Sequence, residues 1–283
     1  MEHSLLVTLE CGSRVISVGT GGDLALLGIS GIEAAEYEVD IESNGSLDGG
    51  YVAGARIAQR TISITTHTGS DDPETMRSRL IHMFRPHPDT KVTVSRNGIS
   101  RWITGRCLEP VFTQANMYQP ARVTIKIVCP QPYFCDPDNF GQDITRNIDN
   151  VVMPFIIPPE GLVVSMLEQN SSVELTNGGD VACGLRAHIE MHGPVTDPCI
   201  INTGTGEHIR VLGSFDSGDV LVISTEQRAK SVQLNGQNHM HRLDRSSVFF
   251  SLAVGDNTIR YSASDGHGNM AMYIYYTPLY LGV

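Results

Sequence analysis

The sequence is short of charge, and above all of positive charge. Only 18% of its 283 residues are charged, and 31 acidic side chains outnumber 20 basic ones, for a formal charge of −11. No Lys/Arg-rich run occurs. A nucleic-acid partner would require a basic patch or stripe, so recognition of DNA or RNA is not expected. Long apolar runs are missing too. The most apolar stretch, Val151 to Leu167, is broken by Pro154, Pro158, Pro159 and Glu160, so no membrane insertion is read from it. Met1–Glu10 lacks a basic leader and offers a short apolar patch at Leu5–Val7, which is not an export signal. Synthesis in a cytosol is expected. Cysteine pairs are absent as well. Cys11, Cys107, Cys129, Cys135, Cys183 and Cys199 are scattered with no CxxC, a pattern read as free thiols rather than a disulfide framework.

What is present suits a folded, strand-rich protein. Hydrophobic residues make up 41% of the chain, far above the level of a disordered one. The 28 glycines and 14 prolines suit many short strands joined by turns. The length favours two domains. The expected fold class is mainly β. An N-terminal β-barrel or sandwich-like domain with one α-helix would occupy 1–135, and 136–283 would hold a connector and an antiparallel β-sandwich.

In the first half, Leu5–Glu10 and Arg14–Val18 form a candidate pair around Cys11-Gly12-Ser13. Ile62 and Ile64 alternate with polar residues through Arg60–Thr66, the period of a half-buried strand. Val92–Val94 and Ile99–Thr104 flank Asn97-Gly98, a pair that readily takes the positive φ values of a type I′ hairpin turn. Val123–Val128 adds another strand. One helix is predicted at about 73–84. Ser70-Asp71-Asp72 would cap it, Pro73 and Glu74 suit its first turn, and Met76, Leu80, Met83 and Phe84 make its apolar stripe before Pro86 and Pro88 end it.

A Pro-rich, weakly periodic segment from about Pro130 to Gly161 reads as the connection. Beyond it, candidate strands lie at Val173–Leu175, Leu185–Met191, Ile209–Leu212, Val220–Ile223, Ser231–Leu234, Val248–Leu252, Thr258–Tyr261 and Met270–Tyr276. Turns at Asn177-Gly178-Gly179, Gly218-Asp219, Asn235-Gly236 and Gly255-Asp256-Asn257 separate them, which is the punctuation of a sandwich.

Chemistry is hard to find. His188 and His192 are four apart, but Ile189 stands where a zinc-protease motif needs Glu. In a strand they would lie about 13 Å apart, too far to share an ion. His239 and His241 would share one strand face without an evident third ligand. Glu33, Glu36, Glu38, Asp40 and Glu42 read as a solvated strand edge, and Asp71-Asp72 as a helix cap. Gly19-Thr-Gly-Gly22 lacks the Lys-Ser/Thr of a phosphate loop, and no helix follows Gly204-Thr-Gly206, so both read as turns. Trp102 is read as a core anchor rather than a sugar-stacking ring, and Tyr273, Tyr275 and Tyr276 are the aromatics a glycan could use. The expectation is no enzyme: no catalytic, metal or cofactor residue, and no cofactor.

The ordered set of motifs resembles siphophage distal tail proteins. It runs from Gly28-Ile-Ser-Gly31, through Asp48-Gly49-Gly50-Tyr51, Arg56 and Arg60-Thr-Ile-Ser-Ile64, to Arg101-Trp-Ile-Thr-Gly105 and Cys129-Pro-Gln-Pro-Tyr-Phe134. Gln131 departs from the acid common there. The second half continues the resemblance with Gly193-Pro194, Pro198–Asn202, Leu252–Ile259 and Tyr276–Tyr280. The resemblance implies a virion protein at the phage tail tip. Six copies of its N-terminal domain would close into a ring, and a galectin-like C-terminal sandwich would lie outside it. Its implied partners are the tail tube protein, the tail-associated hub or lysin protein, the tape measure protein passing through, and in some phages a receptor-binding protein. The alternative is a carbohydrate-binding module or lectin acting in host adsorption.

Overall fold

The computed structural model describes residues 4–34, 36–45, 48–67, 73–84, 89–113, 121–137, 140–143, 146–148, 166–168 and 172–283. The expected cap at Ser70–Asp72, the stop at Pro86 and Pro88, and 151–165 of the apolar stretch lie outside the described residues. The chain divides into two compact units, Met1–Pro137 with Leu279–Val283, and Asp138–Pro278. Residues 279–283, expected with the second domain, thus return to the first.

The first unit is built from β1 (Leu5–Cys11), β2 (Arg14–Gly19), β3 (Leu26–Ser30), β4 (Tyr37–Ser43), β5 (Gly50–Ile57), β6 (Arg60–His67), α1 (Pro73–Met83), β7 (Thr90–Arg96), β8 (Ile99–Cys107), β9 (Val111–Thr113), β10 (Arg122–Cys129) and β11 (Phe134–Cys135), with a last short strand at Leu279–Tyr280. The main path runs β2-β1-β7-β8-β10-β6-β3. Alternation does what period 2 requires. Val7 and Leu9 of β1, Ile16 and Val18 of β2, Val92 and Val94 of β7, Ile62 and Ile64 of β6, and Val123, Ile125 and Ile127 of β10 all face one core. Leu80, Met83 and Phe84 bring the helix onto it. Each such burial contributes roughly 1.5–3 kcal/mol.

Two local features shape this sheet. Asn97 at φ 49° and Gly98 at φ 87° make the two-residue turn between β7 and β8, with Arg96 opposite Ile99. β8 then pairs with β7 as far as Gly105 and with β10 through Arg106 and Cys107. At the changeover, a Cβ on Gly105 would lie 2.7 Å from the Cys129 sulfur and the Val128 carbonyl oxygen. Only glycine lets the strands cross so closely there.

In the second unit a six-stranded sheet runs in the order Phe140–Asp143, Met270–Tyr276, Leu185–Met191, Val220–Ser224, Ser231–Leu234 and Gln237–Asn238. A four-stranded sheet runs Ser172–Asn177, Gly255–Ser262, Cys199–Asn202 and His208–Arg210. All these pairings are antiparallel. Leu185, Ala187, Ile189 and Met191 from one sheet, and Leu175, Ile200, Ile209 and Ile259 from the other, are buried as a sandwich requires. Val248–Leu252 is not a ladder strand: apart from the bridge from Leu252 to Cys183, it lies outside both sheets. Its apolar residues reflect packing, with Phe250 and Leu252 buried and Val248 exposed.

Candidate functional site: an exposed two-stranded arm

Among the described residues, β4 and β5 pair with each other and with no other strand. Every residue of β4 is exposed, and β5 is nearly so. The register sorts the hairpin into two unlike faces. Tyr37 lies opposite Ile57, Val39 opposite Ala55, and Ile41 opposite Val52, so one face is apolar. Glu38 opposite Arg56, Asp40 opposite Gly54, and Glu42 opposite Tyr51 make the other face polar. A register shift between Asp40 and Ile41 is the bulge that keeps the faces sorted. On the polar face Arg56 Nε donates to Glu38 at 2.8 Å and the Tyr51 hydroxyl donates to Glu42. On the apolar face Tyr37 is 55% exposed, Val39 49%, Ile41 69% and Val52 62%. A lone hairpin is marginally stable in water, and this one shows solvent a contiguous stripe of large apolar groups.

The root of the arm is held differently. Arg60 follows the exit strand by three positions and is 5% exposed. Its guanidinium donates to the carbonyls of Gly31 and Glu33 at 2.7 Å each, of Pro132 at 2.7 Å and of Leu281 at 2.5 Å. The Phe134 ring lies 4.9 Å below it. Burial lowers its pKa from the ordinary value. Nothing in the local sequence reveals this role, because its partners come from three distant segments.

Among the described residues, the others weighed for chemistry are not assembled into a site. His188 lies within a strand, its ring edge-on to Tyr273 at 6.3 Å, and His192 falls just past that strand's end. His239 and His241 lie not on a strand face but at a 3-10 turn, Met240–Arg242, with ring centroids 5.3 Å apart. The chain leaves β geometry right after Asn238. Among the described residues no group of three or more His, Cys, Asp or Glu could hold a metal ion. The acidic run Glu38, Asp40 and Glu42 is the polar face of the arm rather than the edge of a larger sheet, and Asp71-Asp72 lies outside the described residues. Gly19–Gly22 and Gly204–Gly206 are turns, the latter tied down by the Asn202 side-chain oxygen accepting from the Gly204 amide at 3.0 Å.

Trp102 departs from expectation. Because Ile103 takes the core side at 1% exposure, Trp102 lies half-buried on the opposite face. There its indole nitrogen donates to the Asp136 carbonyl at 2.9 Å and Lys91 approaches the ring at 5.1 Å. Tyr276 is buried and donates to the Thr176 carbonyl, whereas Tyr275 is exposed and Tyr273 half-buried. None of the six cysteines is in a disulfide. Burial pushes the Cys107 thiol up to about 12 and those of Cys129 and Cys183 to about 11, which makes them poor nucleophiles.

Residues 178–280 match the family described as siphovirus-type tail component, C-terminal domain. Most of the second unit is thus similar to a siphovirus-type tail component domain. The kinship with siphophage distal tail proteins read from the sequence holds, and a tail component is part of the virion. Solved structures carry the fold across both halves of the tail component. One is the SPP1 Dit (gp 19.1) protein, described as a paradigm of hub adsorption apparatus in Gram-positive infecting phages. It has a TM-score of 0.68 at 15% identity and covers 97% of this chain and 99% of its own. Chains of the phage P2 baseplate in its activated conformation, with calcium and with strontium, give 0.52 and 0.50 at 10% identity, covering 97–98% of this chain and 98% of theirs. No curated protein sequence matches the chain.

Proposed function

We propose that this tail component is the structural hub of a tail tip, without enzymatic activity, whose copies close into a ring of six joining the tail tube to the host-recognition apparatus. The observation that carries the reading is the apolar face of the arm. Tyr37, Val39, Ile41 and Val52 protrude from a hairpin that the described residues of its own chain leave uncovered, and a second copy supplies the cover. The contact is heterologous, arm to a different surface of the neighbour, which is the kind that propagates around a ring. Burying the exposed part of these four side chains contributes on the order of 3–7 kcal/mol per contact, before the cost of association. In the ring, one rim meets the tail tube protein and the other the tail-associated hub or lysin protein. The lumen passes the tape measure protein, and the second unit is available to a receptor-binding protein.

The test is light scattering with negative-stain imaging of the wild type and of Ile41→Glu. Rings of six that disappear in the variant are expected, since a carboxylate placed in an apolar contact must be desolvated. Rings that survive Ile41→Glu, or a wild type that stays monomeric even with tube and hub proteins added, would sink the reading.

A further inference from the structure

We propose that Leu279–Val283 is a strap which, together with Arg60, sets the direction of the arm and so its competence to meet a second copy; this rests on the self-association reading above. Three consecutive carbonyls lead into the arm, those of Gly31, Ile32 and Glu33. Arg60 takes the first and third at 2.7 Å, and the Val283 amide takes the second at 3.0 Å. The same guanidinium reaches the strap at the Leu281 carbonyl. Arg101 donates to the Gly282 carbonyl while stacking over Tyr280 at 3.5 Å. Arg96 donates to the Glu33 carboxylate at 3.2 Å and to the Val283 carbonyl at 3.4 Å. The strap therefore bonds the entry foot directly at Ile32 and is bridged to Gly31 and Glu33 through Arg60 and Arg96.

Steric fit is as tight as the hydrogen bonding. A Cβ on Gly282 would lie 2.9 Å from the Glu33 carbonyl oxygen. Gly31, at φ 84°, turns the chain out of β3, and a Cβ there would lie 2.1 Å from the Thr61 carbonyl oxygen. Between the two feet, by contrast, is a cavity of about 180 Å³ lined by Gly31, Ala34, Glu36, Ala58, Gln59 and Arg60. Among the described residues, side-chain packing does not fill the root, so its direction depends on Arg60 and the strap. The feet share a weak backbone bond of their own, Ala58 amide to Glu36 carbonyl at 3.3 Å. An arm with an intact ladder but a loosened root would sample many directions and meet a neighbour in few of them. Arg60 is thus a positioning residue, remote from the apolar face it serves.

The test compares full-length wild type, Arg60→Lys and Gly282→Val. Lys keeps the charge but cannot bridge four carbonyls from one plane. Val at 282 wedges the strap away while leaving Arg60 intact. Amide hydrogen exchange is followed at a dilution where light scattering shows monomers, and ring yield is followed at high concentration. Both variants should exchange faster at the Ala58 amide and the β4–β5 ladder by about tenfold or more, with β1 and β7 unchanged, and should lose most of their rings. Unaltered exchange in the arm, or acceleration spread evenly over β1, β7 and the arm, would overturn the strap. The Ile41→Glu result judges self-association separately, because exchange in the monomer does not depend on it.

Discussion

Phe134 and Tyr280 are antiparallel partners, so the strand leading out of the first unit lies against the strand coming back into it. The neighbouring pair, Cys135 and Leu279, continues the ribbon. The Tyr280 hydroxyl donates to the Asp136 carboxylate at 3.2 Å, and Trp102 donates to the Asp136 carbonyl. Cys135 and Leu279, which flank the second unit in the chain, are thus held side by side within the first.

The second unit should be removable. Antiparallel partner Cα atoms are roughly 5 Å apart, a gap that a tight turn spans. A chain with 138–278 replaced by a four-residue Gly/Asn linker is expected to unfold cooperatively with the first unit's strand signal intact. Circular dichroism and thermal melting check this; a non-cooperative melt would show that the first unit needs the second.

Acid should weaken the first unit through Asp23. Its carboxylate accepts from the Ser17 amide and the Ser17 hydroxyl, each at 2.9 Å, and these bonds hold its pKa below the ordinary 3.8. A depressed acid stabilises fully above its unfolded pKa, and the contribution is lost as pH falls through the folded value. Wild type should therefore lose melting temperature more steeply than Asp23→Asn below about pH 4. Equal slopes for the two would assign the acid sensitivity elsewhere.

Asn177 should matter more than a turn residue usually does. It is 1% exposed, donates to the Val181 and Leu252 carbonyls at 3.0 and 3.2 Å, and accepts from the Gly179 amide at 3.0 Å. Asn177→Ala removes all three bonds, the Leu252 carbonyl keeping its bond from the Cys183 amide, and should cost about 2–3 kcal/mol in denaturant melts. A loss under about 0.5 kcal/mol, the level of a surface change, would mean that water replaces the amide.

How much of this was legible depended on how local the cause was. Asn97-Gly98 and Asn235-Gly236 were readable because the need for positive φ is written in two adjacent residues, and both turns form as expected. The helix stripe of Leu80, Met83 and Phe84 was readable for the same reason. Trp102 was misjudged: alternation puts Trp102 and Ile103 on opposite faces, as found, but does not say which of the two faces the core, and it is Ile103. His239 and His241 were misjudged because nothing in the residues announces where Gln237–Asn238 stops pairing. The arm itself escaped notice. Tyr37, Val39 and Ile41 alternate as any half-buried strand does, and period 2 says that a face will be covered without saying by what. Arg60 gave no signal at all, since its four carbonyls lie up to 221 positions away.

If the arm docks on a second copy as proposed, it carries a hazard until then, since uncovered strands with apolar faces are templates for fibrils. Here the same hairpin carries its own safeguard. Stacking in register would bring Glu38, Asp40 and Glu42 against their own copies, and the kink between Asp40 and Ile41 spoils the flatness that a growing fibril needs. On the proposed reading, the charged side of the arm would protect an unassembled chain from the adhesion that its apolar side provides.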